Sequence, residues 1–395
     1  MFCFNCGVKV VDPSSKFCTS CGVKLRAIES ASPNSADKEV ELEKDFSSQV
    51  KDAFSKTTRA INGMVGEEGS IDMNLKDVFS DVFKKHTQEE GEALFISGTK
   101  QTTPKENEIT TSWPKPWLFS RVFLVLAATY ILLYICVYTF QNSNAIPGLM
   151  MIGSFLVPFS LLIFFWETNA PRNISIYEVV KMLFIGGTSS LVITLLLYSF
   201  LPVFELGYLA AITVGIVEEV GKLMIIAYFV NRLNTSFILN GLLIGAAIGA
   251  GFAAFESAGY AFNFGLLYGN EAMISIIFNR AWMSIGTHVI WSAIAGAALV
   301  YVKGNSTLQK NHFLDNKFIR LFSVAIILHA IWDMPLYILQ QYHFIYLVLI
   351  IVAWIFTFTL INAGLKQIIR LTVDHDPEMN PIMLKMGGKG TTMDQ

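Results

Sequence analysis

The chain has 395 residues, of which 53% are hydrophobic, 13% aromatic and only 15% charged, a balance that excludes an ordinary soluble globular protein. The formal net charge of -2 is uninformative about partners, because the sum mixes an exposed region with a buried one, and no nucleic acid is expected. The opening M-F-C-F-N-C-G lacks a basic stretch followed by an apolar one, so no cleavable signal peptide is expected.

Four of the five cysteines, Cys3, Cys6, Cys18 and Cys21, stand in two knuckles, C-F-N-C-G and C-T-S-C-G. Two such knuckles place four thiolates around one Zn2+, and the glycines let the backbone turn tightly enough to aim the sulfurs. A pair of disulfides is the competing reading, but chelated thiolates suit a reducing compartment. Closed by four protein ligands, the expected zinc ribbon over 1–26 is structural rather than catalytic. Cys136 falls inside an apolar run and reads as packing.

Residues 27–117 read as a polar tether that begins as a linker, S-A-S-P-N-S-A-D-K-E-V-E-L-E-K. Helical spacing returns in two weak stripes, Val50, Phe54 and Ile61, then Leu75, Val78, Phe79, Val82 and Phe83. Such stripes mark a small packed helix, a partner surface or a membrane-lying segment, with the first two more common.

From Leu118 to Leu365 apolar runs follow one another, each of the ~20 residues needed to cross about 30 Å of hydrocarbon. The spacing predicts eight spans, near 118–140, 146–166, 181–202, 206–230, 237–262, 274–302, 318–340 and 344–366. With a cytoplasmic N-terminus, the cytoplasmic connections carry Arg172, Arg232, Lys303, Lys310, Lys317, Lys366 and Arg370, and the opposite loops carry no Lys or Arg. That distribution obeys the positive-inside rule and puts both termini, with the tail 367–395, in the cytoplasm.

An ionisable residue within a span is costly unless it faces the protein interior or a wet cavity, and is a functional hypothesis by default. Spans four to seven hold Glu218, Glu219, Lys222, Glu256, Arg280, His288, His329 and Asp333, and the other spans hold almost none away from their ends. Counting the helical rise from the outer ends puts Glu218, His288 and His329 in one layer, roughly 17–21 Å deep. Glu256, Arg280 and Asp333 fall in a second layer, roughly 9–11 Å deep.

Periodicity then says which faces converge. Gly245, Gly249, Ala253, Glu256 and Tyr260 form one stripe whose small residues admit a neighbouring helix, and His288, Ser292 and Gly296 form another. His329 and Asp333 lie one turn apart, whereas Glu218 and Glu219 diverge by about 100°. This suggests Glu219 paired with Lys222 and Glu218 as general base for a water, although the residue types also admit the reverse. His288 and His329 suit carbonyl polarisation, oxyanion donation or metal binding, with Asp333 orienting His329. Glu256 and Arg280 read as mutual neutralisation, and His86, His312, His343 and His375 receive no role.

The motifs E-E-V-G-K (218–222), F-E-S-A-G-Y (255–260), H-V-I-W-S-A-I-A-G (288–296) and H-A-I-W-D (329–333) occur in that order on successive expected spans. This set resembles the PrsW family of intramembrane proteases, related to the CAAX-prenyl-protease and bacteriocin-processing group, over roughly 118–366. The resemblance implies active-site roles for Glu218, Glu219, Glu256, His288, His329 and Asp333. The family's best-known substrate, a membrane-anchored anti-sigma factor, is not carried over.

The expected protein is thus an all-α polytopic membrane protein of about eight spans (118–366), preceded by a zinc ribbon and a partly helical tether. Its expected function is an intramembrane endopeptidase of the bacterial cytoplasmic membrane, acting on a membrane-anchored protein. Structural Zn2+ belongs to the four cysteines, a partner protein for the ribbon is one use of that domain, and the Glu/His/His set fits a catalytic metal or a metal-free glutamate, slightly favouring the latter. The alternatives are a proton- or ion-coupled transporter, against which no inverted repeat is apparent, and a non-catalytic scaffold.

Overall fold

The structure is a computed structural model and describes residues 34–71, 73–105, 108–201, 207–336 and 344–375. Cys3, Cys6, Cys18 and Cys21, and with them the expected zinc site, lie outside the described residues. The chain divides into two units, Met1–Thr57 and Thr58–Gln395. A helix, α1 (Asn34–Met64), crosses that division where a linker was expected to begin, and the remaining helices belong to the second unit.

Among the described residues all regular structure is helical. Two short helices, α2 (Leu75–Val78) and α3 (Gln88–Phe95), lead into α4 (Leu118–Tyr138) and α5 (Ile146–Thr168). The third span begins earlier than its hydropathy suggests, as α6 (Ile176–Lys181), and passes through a π turn, Met182–Gly186, into α7 (Gly187–Phe200). Then come α8 (Tyr208–Leu233), α9 (Ile238–Tyr268), α10 (Asn270–Met283), α11 (His288–Lys303), α12 (Asn316–Asp333) and α13 (Phe344–His375). Among the described residues, six helical stretches are long and apolar enough to cross a membrane. The two expected spans outside that set are α8, which bears Glu218, Glu219 and Lys222, and α12, which bears Lys317, Arg320 and Asp333.

Two expected spans differ in detail from a continuous helix. The sixth span is not one helix: α10 stops at Met283, a 3-10 turn covers Ser284–Gly286, and α11 restarts at His288. A break at this depth is tolerable only where its polar backbone finds partners in protein, and the Ile285 carbonyl accepts from Trp354 Nε1 at 2.9 Å. In the seventh, α12 ends at Asp333, because Met334 precedes Pro335 and takes the extended conformation that a following proline imposes, and the expected end near 340 lies outside the described residues.

The core is organised around α9, in which every residue from Ile238 to Ala254 is buried. Its glycines explain how. A Cβ on Gly245 would overlap the Ser292 carbonyl, one on Gly249 the His288 carbonyl and one on Gly296 the Gly241 carbonyl, so α9 and α11 meet backbone to backbone. The two small-residue stripes expected from periodicity therefore face one another. On its other side α9 receives the π turn, where Gly251 lies against Leu183 and Gly187. Close contact also joins α8 to α12, since a Cβ on Gly215 would stand 3.1 Å from the Ala330 nitrogen and the Ile326 carbonyl.

Basic side chains of the expected cytoplasmic connections bind helix ends and loops nearby. Arg232 faces Glu178 at 3.6 Å, Lys303 donates to the Thr235 carbonyl at 2.9 Å, and Arg370 pairs with buried Glu67 at 2.5 Å. At the start of α4 the Glu167 carboxylate, from the last turn of α5, accepts from the backbone N–H groups of Trp117, Leu118 and Phe119 at 2.8–2.9 Å. It satisfies donors that a helix N-terminus otherwise leaves unpaired.

The packing argument predicts that Gly245→Leu lowers the thermal unfolding midpoint of the detergent-solubilised protein sharply and Gly245→Ala by the equivalent of about 1–3 kcal/mol, the usual cost of overpacking. Gly259→Ala, where a Cβ meets nothing within 4 Å, should be neutral or slightly stabilising, because alanine is the better helix former.

Candidate active site

Of the polar residues singled out in the sequence, Glu218, Glu219, Lys222, Glu256, Arg280, His288, His329 and Asp333 all come together, from five helices, α8 to α12. The centre is Lys222. Its side chain is 0% exposed, and its Nζ donates to Glu219 Oε1 at 2.7 Å, to His288 Nδ1 at 2.8 Å and to Glu218 Oε2 at 3.4 Å. The ammonium also lies 4.1 Å from the centroid of the Phe252 ring, a cation–π contact. An ammonium has three N–H donors, so Lys222 is fully used.

These partners set the histidine tautomers. An ammonium only donates, so His288 Nδ1 accepts and a neutral ring carries its proton on Nε2, which faces Glu256 Oε2 at 3.2 Å. His329 is oriented the other way: Nδ1 donates to Glu219 Oε1 at 2.8 Å, leaving Nε2 toward Asp333 Oδ2 at 3.4 Å and Glu218 Oε2 at 3.7 Å. The two rings lie 5.0 Å apart, and Trp291 stacks on His329 at 4.6 Å. Asp333, expected to orient His329, does face its Nε2, and Glu219 adds a second contact at Nδ1. The two layers counted from helical rise also fail to stay apart. Side chains reach across them, Glu256 touching His288 and Asp333 touching His329.

Glu256 pairs closely with Arg280, whose Nε donates to Ser257 Oγ at 2.9 Å and whose guanidinium lies 4.4 Å from the Tyr260 ring centroid. The mutual neutralisation expected of Glu256 and Arg280 is present, but Glu256 is shared with His288. Periodicity alone gave no hint of Tyr198 on α7, whose hydroxyl donates to Glu218 Oε1 at 3.3 Å. Nothing in its sequence context distinguishes it from other tyrosines at span ends.

A cavity of about 850 Å³ opens onto this cluster, lined by Tyr198, Glu218, Glu256, Arg280, His288, His329 and Asp333 among others. Neither Glu219 nor Lys222 reaches it. Glu218 is therefore the member of the glutamate pair that meets the cavity, and Glu219 is sealed behind it at 0% exposure with Oε2 unpartnered.

One oxygen or nitrogen from each of Glu218, His288 and His329 can be chosen so that all lie within 4.8 Å of one another. Two imidazoles and a carboxylate are a donor set of hydrolytic zinc sites, and a carboxylate behind a ligand histidine, as Glu219 stands behind His329 Nδ1, is the usual support. Among the described residues, four carboxylates here face two fixed cations, Lys222 and Arg280. The excess negative charge demands protons or a cation. The residues accordingly fit a divalent ion, with one condition: ligation through His288 Nε2 requires Lys222 to release Nδ1.

Residues 175–360, from the loop before α6 into α13, match the sequence model of a family described as PrsW family intramembrane metalloprotease. No curated protein and no solved structure matches the chain.

The lysine's position predicts the outcome of removing it. Lys222→Met leaves Glu219 buried with His329 as its remaining ionic partner, and breaking such a pair costs about 3–5 kcal/mol. The thermal midpoint in detergent should fall accordingly, and Lys222→Met combined with Glu219→Gln should recover part of the loss, a coupling read by a double-mutant cycle.

Proposed function

We propose that this chain, which over residues 175–360 belongs to the PrsW family, hydrolyses a peptide bond of a membrane-anchored protein at the cavity bounded by α7 to α12. The observation that carries the reading is the split within the glutamate pair: Glu218 lines the cavity and Glu219 does not. Glu218 is the general base. It takes a proton from water, and the hydroxide adds to the scissile carbonyl carbon. His288, with its proton on Nε2, turns from Glu256 to donate to the oxyanion. Collapse breaks the C–N bond, and Glu218 returns the proton to the leaving amine.

The supporting groups follow from their contacts. Lys222 compensates Glu219 and keeps the His288 tautomer, Glu219 orients His329, and Tyr198 holds one oxygen of Glu218. A divalent cation held by Glu218, His288 and His329 would supply Lewis acidity to the carbonyl and acidity to a bound water. Asp333 and Glu256 are the carboxylates that complete the charge balance on the cavity side. A substrate helix must unwind locally here, because an intact helix hides its carbonyls.

The setting is part of the same proposal. The Lys/Arg distribution supports cytoplasmic termini, and the family resemblance carries the assignment to a bacterial cytoplasmic membrane. The division into ribbon (1–26), tether (27–117), membrane domain (118–366) and tail (367–395) is kept, with zinc on Cys3, Cys6, Cys18 and Cys21 and a protein partner for the ribbon.

Glu218→Gln should reduce cleavage of a membrane-anchored substrate by purified protein about 10²–10⁴-fold, the share a general base contributes, with expression and thermal midpoint close to the parent. Undiminished proteolysis by this variant would sink the assignment. Metal analysis of the full chain before and after His329→Ala separates the two uses of the Glu/His/His set. Loss of one ion assigns ligation, and unchanged content assigns hydrogen bonding.

A further inference from the structure

The second apolar stripe of the tether takes no part in this chemistry. Val78 is buried, and the Phe79 ring packs on Phe119 of α4 and Phe164 of α5, with centroids 6.1 and 6.2 Å away. That contact pins the segment to the end of the bundle at which α4 begins. A second tie fixes its height: the guanidinium of Arg121, in the first turn of α4, donates to the Lys84 carbonyl at 3.0 Å.

The residues that follow Arg121 along α4 define what lies beside this tie. Phe123, Leu124 and Val125 are 40%, 55% and 65% exposed, an outward apolar face that meets hydrocarbon when α4 crosses a bilayer. Lys84 therefore sits where that lipid-facing surface starts. Beside it Phe83 is 92% exposed, the highest value among the large apolar side chains described.

Water is a poor place for that ring, and its neighbours name a better one. Lys84 and Lys85 are both exposed, with Lys84 held 2.6 Å from Asp81. An outward aromatic ring followed by two ammonium groups, at the level where a membrane helix begins, matches the two chemistries of a bilayer interface. The ring suits the acyl boundary and the ammoniums suit phosphate headgroups, reached by flexible apolar stems. We infer that Phe83, Lys84 and Lys85 form an interfacial anchor that dips into the leaflet at which α4 begins and takes anionic phospholipid there.

The anchor rests on contacts with α4 and α5, both outside the family match, and stands or falls independently of the peptidase reading. Its test places a photoreactive ring at the position, Phe83→p-benzoylphenylalanine in the full chain, irradiated in native membranes and read by mass spectrometry of the peptide. Leu124→p-benzoylphenylalanine serves as the lipid-facing reference. The expected result is a phospholipid adduct at both positions, with anionic lipids at residue 83 enriched at least twofold over their share of the membrane. Lys84→Gln with Lys85→Gln should abolish that enrichment. A cross-link from residue 83 to a protein, or no adduct there while residue 124 reacts, overturns the anchor in favour of a partner surface or an exposed loop. Enrichment that survives loss of both lysines overturns the headgroup contact.

Discussion

A single ammonium group, that of Lys222, holds the site together. Buried with three acceptors, it lets two adjacent glutamates and a histidine stand close together. Each partner then constrains something further. Glu219 reaches His329 on α12, His288 reaches Glu256 on α9, and Glu256 reaches Arg280 on α10. The polar network is therefore also the tie between helices that the apolar packing brings near. Such a network is favourable only while complete, because in low dielectric each unpaired member is expensive.

Apolar packing supplies the approach. Helices α9 and α11 touch through Gly241, Gly245 and Gly249 against Gly296, Ser292 and His288, and α8 approaches α12 through Gly215. In a bilayer the lipid tails are as apolar as leucine, so association depends on van der Waals contact and interhelical hydrogen bonds. Small residues provide the first by removing the side chains that would hold backbones apart. The break before His288 adds a different freedom. By ending α10 at Met283, the chain starts α11 with His288 as its first residue, next to Lys222 and at the cavity wall.

Sealing one glutamate and opening the other gives the pair two functions from one residue type. Glu219, 0% exposed, is committed to a lysine and a histidine, and acts as a fixed negative charge. Glu218 touches the same lysine at longer range, accepts from Tyr198 and faces the cavity. The difference arises from the roughly 100° between successive helical residues, converted by neighbouring helices into inside and outside. A transporter would also accommodate midplane acids and histidines, but the family match and the convergence of Glu218, His288 and His329 both favour hydrolysis.

Much of this was legible in the sequence. Hydropathy located the helices, the Gly245/Gly249 and His288/Ser292/Gly296 stripes identified the faces that meet, and the four motifs singled out the residues that converge, because helical period and the cost of intramembrane charge are local properties written in residue order. Tertiary structure decided the rest. Sequence left open which glutamate meets the cavity, did not foresee the second contact that Glu219 makes to His329 Nδ1, read a broken span as continuous and offered no sign of Tyr198. Each of those depends on what an adjacent helix presents at the same height, and one-dimensional periodicity fixes a side chain's angle about its own axis without naming the group it will meet.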